Sequence, residues 1–73
     1  MDSVIKSIMN EVRFEVSTIL AGVKFGADEA LLNVHRGKIN GLLKAAEIIT
    51  GDEWDWEPDG IYRNHGNEPY IKW

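Results

Sequence analysis

The chain has 73 residues, of which twelve are acidic, eight are basic and none is cysteine. A domain of this length buries only about 60% of the surface that its unfolded chain exposes, so its stability is marginal without outside support. Because disulfides and thiolate metal sites are excluded, that support is expected from self-association or from a partner. The net charge of −4 argues against a protein built to hold nucleic-acid phosphates.

The first predicted element is an amphipathic helix over residues 3–25. Its apolar residues follow one another at steps of three and four, as in a seam along one side of a helix. The seam consists of Ile5, Met9, Val12, Val16, Ile19 and Val23, and it is widened by Ile8 and Leu20. Phe14 lies on the otherwise polar side, where we interpret it as a partner anchor. The alternative is that it is one of the single exposed apolar residues that soluble proteins commonly carry.

A turn and a second helix, over residues 28–50, are predicted next. Gly26 suits the position after a helix C-terminus, and Asp28 is placed to cap the new helix. Gly51 marks the expected stop. The seam of this helix consists of Leu32, His35, Ile39, Leu42, Ala46 and Ile49. Two helices of similar length, joined by a short turn, predict an antiparallel helical hairpin.

Residues 51–73 differ in character, since they hold both prolines, all three tryptophans and both tyrosines and show no helical period. We favour an irregular arm that docks on the hairpin or on a neighbour. A small strand pair of residues 61–63 with 70–73 is the alternative. The expected fold class is therefore all-α, an antiparallel helical hairpin with an irregular aromatic-acidic C-terminal arm, in one small domain of residues 1–73.

One sector of the second helix is small in the middle and apolar at both ends. It consists of Val34, Gly37, Gly41, Ala45 and Ile48, placed at about 100° per residue. A glycine in a helix interior costs about 1 kcal/mol relative to alanine. The spacing of four lets the small residues form a groove that another helix can approach closely. We predict a helix contact here, with the first helix or with a second copy; the alternative is tolerated surface glycines.

The segment GDEWDWEPDG places Trp54 and Trp56 among five carboxylates. One interpretation is an arm that binds a basic groove, with the tryptophans supplying contact area and the acids steering the encounter. Mimicry of nucleic acid by the carboxylates is a sharper form of this hypothesis. The other interpretation is that the tryptophans complete the small core while the acids keep the turn soluble.

No catalytic or cofactor motif is present, so the chain is predicted to be non-enzymatic, without cofactor or metal. The two histidines lack paired ligand spacing, and His35 is expected to be hydrogen-bonded at the core or its edge. A nucleic-acid patch of Arg36, Lys38 and Lys44 is one hypothesis, but Lys38 lies away from the face of the other two, so we favour a solvated helix surface and expect no direct nucleic-acid binding. No segment reaches the roughly 20 apolar residues of a membrane span, and no signal peptide is evident, so a soluble protein is expected.

The segment LLNVHRGKINGLLKAAEII resembles a class of small helical proteins of tailed bacteriophages. In these, an Arg-Gly-Arg/Lys-Ile-x-Gly-Leu core lies in the second helix of a hairpin. The resemblance implies a virion-associated or assembly protein that acts through protein contacts, in the virion or in the cytoplasm of an infected bacterial cell. It also implies that Gly37, Ile39, Gly41 and Leu42 are packing residues.

The expected function is that of a structural protein that oligomerises or docks on a larger phage particle. The alternative is a regulator that binds a host enzyme through its acidic-aromatic C-terminal tail and inhibits or redirects it. We expect a protein partner or a homo-oligomer, and no contact with a membrane. The residues expected to bind the partner are Phe14, Val34, Gly37, Gly41, Ala45, Ile48, Trp54 and Trp56.

Overall fold

A computed structural model describes residues 2–73 as two helices followed by a three-stranded antiparallel sheet. The helices are α1, Asp2–Lys24, and α2, Glu29–Thr50, and they pack against each other as a hairpin. The strands are β1, Trp54–Glu57, β2, Gly60–Arg63, and β3, Ile71–Lys72, in the spatial order β1-β2-β3. Neither helix is both long and apolar enough to cross a lipid bilayer.

The ends of both helices follow the capping signals in the sequence. Gly26 and Gly51 adopt the left-handed conformation, with φ of 75° and 73°. The Asp28 carboxylate accepts a hydrogen bond of 3.0 Å from the backbone N–H of Ala30, which satisfies one free donor of the first turn of α2. The predicted hairpin is confirmed, and each helix boundary lies within one residue of its predicted position.

The core lies in the seam between the helices and extends to the sheet. The buried apolar residues are Ile5, Met9, Val12, Val16, Ile19, Leu32, Ile39, Leu43, Ala46, Trp54 and Ile61. Two predicted seam residues of α1, Leu20 and Val23, are largely exposed, each at 59%. On α2, Leu43 is buried and Leu42 only half-buried.

The glycine that allows close approach of the two helices is Gly22 of α1. A Cβ added there would lie 2.7 Å from Cδ2 of Leu32 and 3.3 Å from Cβ of Ala27. By contrast, a Cβ added at Gly37 or Gly41 would meet nothing within 4 Å. Helix α1 therefore does not occupy the predicted groove on α2, and that half of the prediction is wrong.

The C-terminal third is a sheet, so the expectation of an all-α fold with an irregular arm is wrong for these residues. In β1 the side chains of Trp54 and Trp56 pack on the core, whereas Asp55 pairs with Tyr62 on the other face. This period of two is that of a strand with one buried face. The pairing of β2 with β3 agrees with the strand-pair alternative, with Ile61 opposite Ile71.

Two features hold the sheet in place, a hydrogen bond to α2 and a close approach of β2 and β3 at a glycine. The indole N–H of Trp54 donates a 3.0 Å hydrogen bond to Oγ1 of Thr50, which joins β1 to the last turn of α2. At the other sheet edge, a Cβ added at Gly60 would lie 2.1 Å from the carbonyl oxygen of Ile71. Only glycine allows β3 to pair with β2 at this position.

Candidate interaction surfaces

The predicted sector of α2 lies on the side of the helix opposite the buried residues. We call Val34, Gly37, Gly41, Ala45 and Ile48 the outer strip. Val34 is 55% and Ile48 75% exposed, and the space above both glycines is open. The sheet packs elsewhere on the hairpin, so within residues 2–73 nothing covers this strip. It leaves a run of apolar and small surface about 21 Å long at 1.5 Å per residue.

The outer strip is symmetric about Gly41. Gly37 and Ala45 lie four residues before and after it, and Val34 and Ile48 lie seven residues before and after. The order along the helix is therefore large, small, small, small, large. A surface of this kind is complementary to an antiparallel copy of itself, because a two-fold interface brings each patch against the same patch of its mate.

The other predicted partner residues are not in this strip. Phe14 is 63% exposed, on the side of α1 that points away from the buried seam. Trp54 is 2% exposed and belongs to the core, so its assignment as a partner-binding residue is wrong and the core interpretation holds for it. Trp56 is half-buried and lines a cleft. The eight predicted residues thus fall in four separate places.

The cleft beside Trp56 has a volume of about 230 Å³. Its walls are apolar and are shared by α1 and the sheet, and the residues that line it are Val16, Leu20, Trp56, Glu57, Pro58 and Trp73. The indole N–H of Trp73 donates a 2.8 Å hydrogen bond to the carbonyl oxygen of Glu57, which orients one wall. Of these residues, only Trp56 was predicted to bind a partner, because α1 and the C-terminus are far apart along the chain and the sequence alone does not bring them together.

The face of the sheet that points away from the helices carries an acidic concavity of about 340 Å³. It is lined by Asp55, Glu57, Pro58, Asp59, Tyr62, His65 and Gly66. The Tyr62 hydroxyl donates a 2.7 Å hydrogen bond to Oδ2 of Asp59. This bond raises the pKa of Tyr62, with smaller contributions from desolvation and from the nearby negative charges of Asp59 and Glu57. The concavity is therefore suited to cationic groups.

The charges near the start of the sheet are held by specific partners. The side chain of Asn64 and then the guanidinium of Arg63 lower the pKa of the Asp52 carboxyl. Arg63 also lies over the Trp54 ring, 4.9 Å from its centroid. These contacts tie the loop before β1 to the end of β2.

A group of metal-type ligands lies at the end of the sheet, where ligand atoms of Glu53, Asp55 and His65 fall within 4.8 Å of one another. The two ring nitrogens of His65 already face the two carboxylates: Nε2 contacts Glu53, and Nδ1 lies 3.5 Å from Oδ2 of Asp55. All three side chains are substantially exposed. Ordinary surface hydrogen bonding accounts for this cluster.

The other polar residues named from the sequence either pack at the edge of the core or lie on the surface. His35 is half-buried and hydrogen-bonded to the carboxylate of Glu15, as expected for a histidine at the edge of the core. The burial of Glu15 was not predicted; the available signal was its position in the sequence next to Val16 of the α1 seam. Arg36 is engaged by Glu29 at 2.8 Å and Asn33 at 2.7 Å, which removes one cation from the hypothetical nucleic-acid patch.

No protein-family model, curated protein or solved structure matches this chain. Among residues 2–73, the outer strip and the cleft are apolar surfaces that combine exposure with a defined shape. The acidic concavity adds a charged surface on the far side of the sheet.

Proposed function

We propose that this protein is a non-enzymatic assembly protein whose copies pair through the outer strip of α2. The observation that carries the proposal is the symmetry of the strip about Gly41. In an antiparallel pair centred there, Val34 of one copy faces Ile48 of the other, Gly37 faces Ala45, and Gly41 faces Gly41. Large side chains meet large ones only at the two ends, while the small residues let the helix backbones approach closely in between.

Burial supports the same arrangement. A chain of this size gains little stability from its own core, and exposed apolar surface that forms a continuous patch is typical of an interaction site. Val34 and Ile48 bury their side chains only when another molecule covers α2. The resemblance of this helix to small proteins of tailed bacteriophages supports a place in the assembly of a larger particle, which we include in the proposal.

Sedimentation analysis over a wide range of protein concentration tests the pairing. The wild-type chain is expected to pass from 8.3 kDa to twice that mass as its concentration rises. Gly41→Leu and Ile48→Asp are expected to remain monomeric, because the first blocks close approach and the second buries an unpaired charge. Phe14→Asp is the matched control, since it places the same charge at another exposed apolar position and should pair normally.

Two results would contradict the proposal. One is a wild-type chain that remains at 8.3 kDa at the highest concentrations. The other is an equal loss of pairing in Phe14→Asp and Ile48→Asp, which would point to general solubility. Circular dichroism of each variant establishes that the helices are intact before the masses are compared.

A regulatory role is the second candidate, because the charge of the chain is concentrated in the sheet. Residues 51–73 contain six acidic and two basic side chains, so their net charge of −4 equals that of the whole chain. A basic surface on another protein would bind this face. Asp55→Lys should abolish such binding without loss of helix content. Deletion of residues 52–73 cannot make this test, because it removes Trp54 from the core.

A further inference from the structure

The cleft between α1 and the sheet has the size and shape of a pocket for one side chain. At about 230 Å³ it is smaller than the usual range for small-molecule sites, roughly 300–1,000 Å³. Trp56 and Trp73 form half-buried aromatic walls, and Leu20 is 59% exposed at its edge. An aromatic or large aliphatic side chain inserted here would cover all three at once. Such anchors dominate the energy of protein interfaces.

The charge at the rim of the cleft favours a basic residue next to the inserted side chain. Glu57 lines both the cleft and the acidic concavity on the other face of the sheet, so the two surfaces adjoin at this residue, and among residues 2–73 its carboxylate takes part in no ion pair. It belongs to the sheet segment that carries the whole net charge of the chain. A lysine or arginine next to the inserted side chain therefore matches the cleft, whereas an acidic neighbour would be repelled.

The hairpin tip carries this combination of groups. Phe25 is 80% exposed, the highest value among the exposed large apolar residues of the described chain. Nζ of Lys24 lies 5.9 Å from the centroid of its ring. In the described residues Lys24 has no carboxylate partner. The positive φ of Gly26 turns the chain immediately after Phe25, so the ring projects from the end of the hairpin.

We propose that Phe25 of one copy inserts into the cleft of a second copy, with Lys24 beside Glu57. The tip and the cleft are different surfaces, so the contact is head-to-tail, and each copy keeps a free tip or a free cleft for the next. Together with a two-fold pairing through α2, such contacts extend an assembly beyond two copies. The tip-to-cleft contact does not depend on the α2 pairing.

One inserted side chain buries much less than the roughly 1,200 Å² of a stable interface, so the contact is weak in an isolated pair. Repetition in an assembly raises the effective concentration of each tip near each cleft. The contact should therefore be sought by a method that traps brief encounters. The absence of cysteine in the chain makes disulfide trapping clean.

The test mixes a Lys24→Cys chain with a Glu57→Cys chain and follows the mixed disulfide under mild oxidation. We expect it to form several-fold faster than in a mixture of Lys6→Cys with Glu57→Cys. Lys6 is a matched control because it is another exposed lysine of α1, near the opposite end of that helix. Adding Phe25→Ser to the Lys24→Cys chain should abolish the difference, while adding Phe14→Ser should not.

Exchanging the charges of Lys24 and Glu57 tests whether these two residues meet at the rim of the cleft. A variant of the outer strip, Gly41→Leu, distinguishes the tip-to-cleft contact from the α2 pairing. In chains without the introduced cysteines, Lys24→Glu should weaken concentration-dependent association. Mixing the Lys24→Glu chain with a Glu57→Lys chain should restore that association. Gly41→Leu in both cysteine chains should leave the trapping rate unchanged. Equal trapping of the Lys24→Cys and Lys6→Cys chains, or no effect of Phe25→Ser, would overturn the proposal. A trapping rate that falls with Gly41→Leu would show that only the α2 pairing exists.

Discussion

The carboxylate of Glu15 on α1 is hydrogen-bonded to the imidazole Nδ1 of His35 on α2, across the seam of the hairpin. Glu15 is 7% exposed, a buried polar residue beside the core. Leaving a buried polar group without its partner costs about 1–3 kcal/mol, which is more than the bond itself contributes. We therefore expect His35→Ala to lower the free energy of unfolding by about that amount.

Urea denaturation of a double-mutant cycle measures this relationship. Glu15→Ala with His35→Ala should cost less than the sum of the single substitutions, with a coupling of about 0.5–3 kcal/mol. His65→Ala is the control, since His65 meets its carboxylates at the exposed end of the sheet and should change stability by less than about 0.5 kcal/mol. Strict additivity of the two single changes would contradict the pairing.

Alanine at the three helical glycines is expected to act in opposite directions. At Gly37 and Gly41 the added methyl group meets open space, so each change should stabilise the monomer by up to about 1 kcal/mol through helix propensity. At Gly22 it meets Leu32, whose side chain is buried, and overpacking costs about 1–3 kcal/mol. The net effect of Gly22→Ala should be between neutral and about 2 kcal/mol destabilising.

Thermal unfolding of the three alanine variants, at a concentration where the chain is monomeric, provides the measurement. The three variants are controls for one another, because the backbone is helical at all three positions and only the surroundings of the added methyl group differ. If Gly22→Ala proved as stabilising as Gly41→Ala, the helices would not be in close contact at that point.

Alkaline titration tests the acidic face of the sheet. The native state holds the Tyr62 proton more tightly than the unfolded chain, whose tyrosine pKa is 10.0. This contribution to stability is complete below that pH and is lost as pH rises through the higher native-state pKa. Asp59→Asn should lower the native pKa of Tyr62, because it removes the main cause of the shift. Absorbance of the tyrosinate in a Tyr70→Phe chain isolates the signal of Tyr62.

Glu57→Gln is the comparison for this titration. The charge of Glu57 is the smallest of the causes that raise the pKa of Tyr62, so its removal should shift the midpoint less than Asp59→Asn. The reverse order, or no shift with Asp59→Asn, would mean that the hydroxyl of Tyr62 does not donate to Asp59 in solution.

The helices were predictable because their signals are local. The spacing of Ile5, Met9 and Val12 marks one side of a helix, and Asp28 and Gly51 act on hydrogen bonds within a few residues of themselves. Such signals need no knowledge of distant parts of the chain. The hairpin, its turn and its boundaries follow from them. The symmetry of the outer strip about Gly41 is likewise a property of the sequence alone.

The sheet and the roles of single residues required the tertiary structure. A four-residue strand is stable only when it pairs with others and packs on a core, so β1 could be recognised only once its partners and α2 were in place. From the sequence, the tryptophans of this acidic segment could either complete the core or bind a partner. Burial decided between them, and it placed Trp54 inside the molecule.

The sequence by itself determined that this chain forms a helical hairpin with an acidic, aromatic C-terminal segment and an apolar second side on α2. Only the tertiary structure decided that Gly22, and not Gly37 or Gly41, accommodates the neighbouring helix. It also decided that the sheet covers the hairpin seam and leaves the outer strip open. The physical reason is that periodicity records which residues share a face, whereas contact between faces depends on parts of the chain that are distant in sequence.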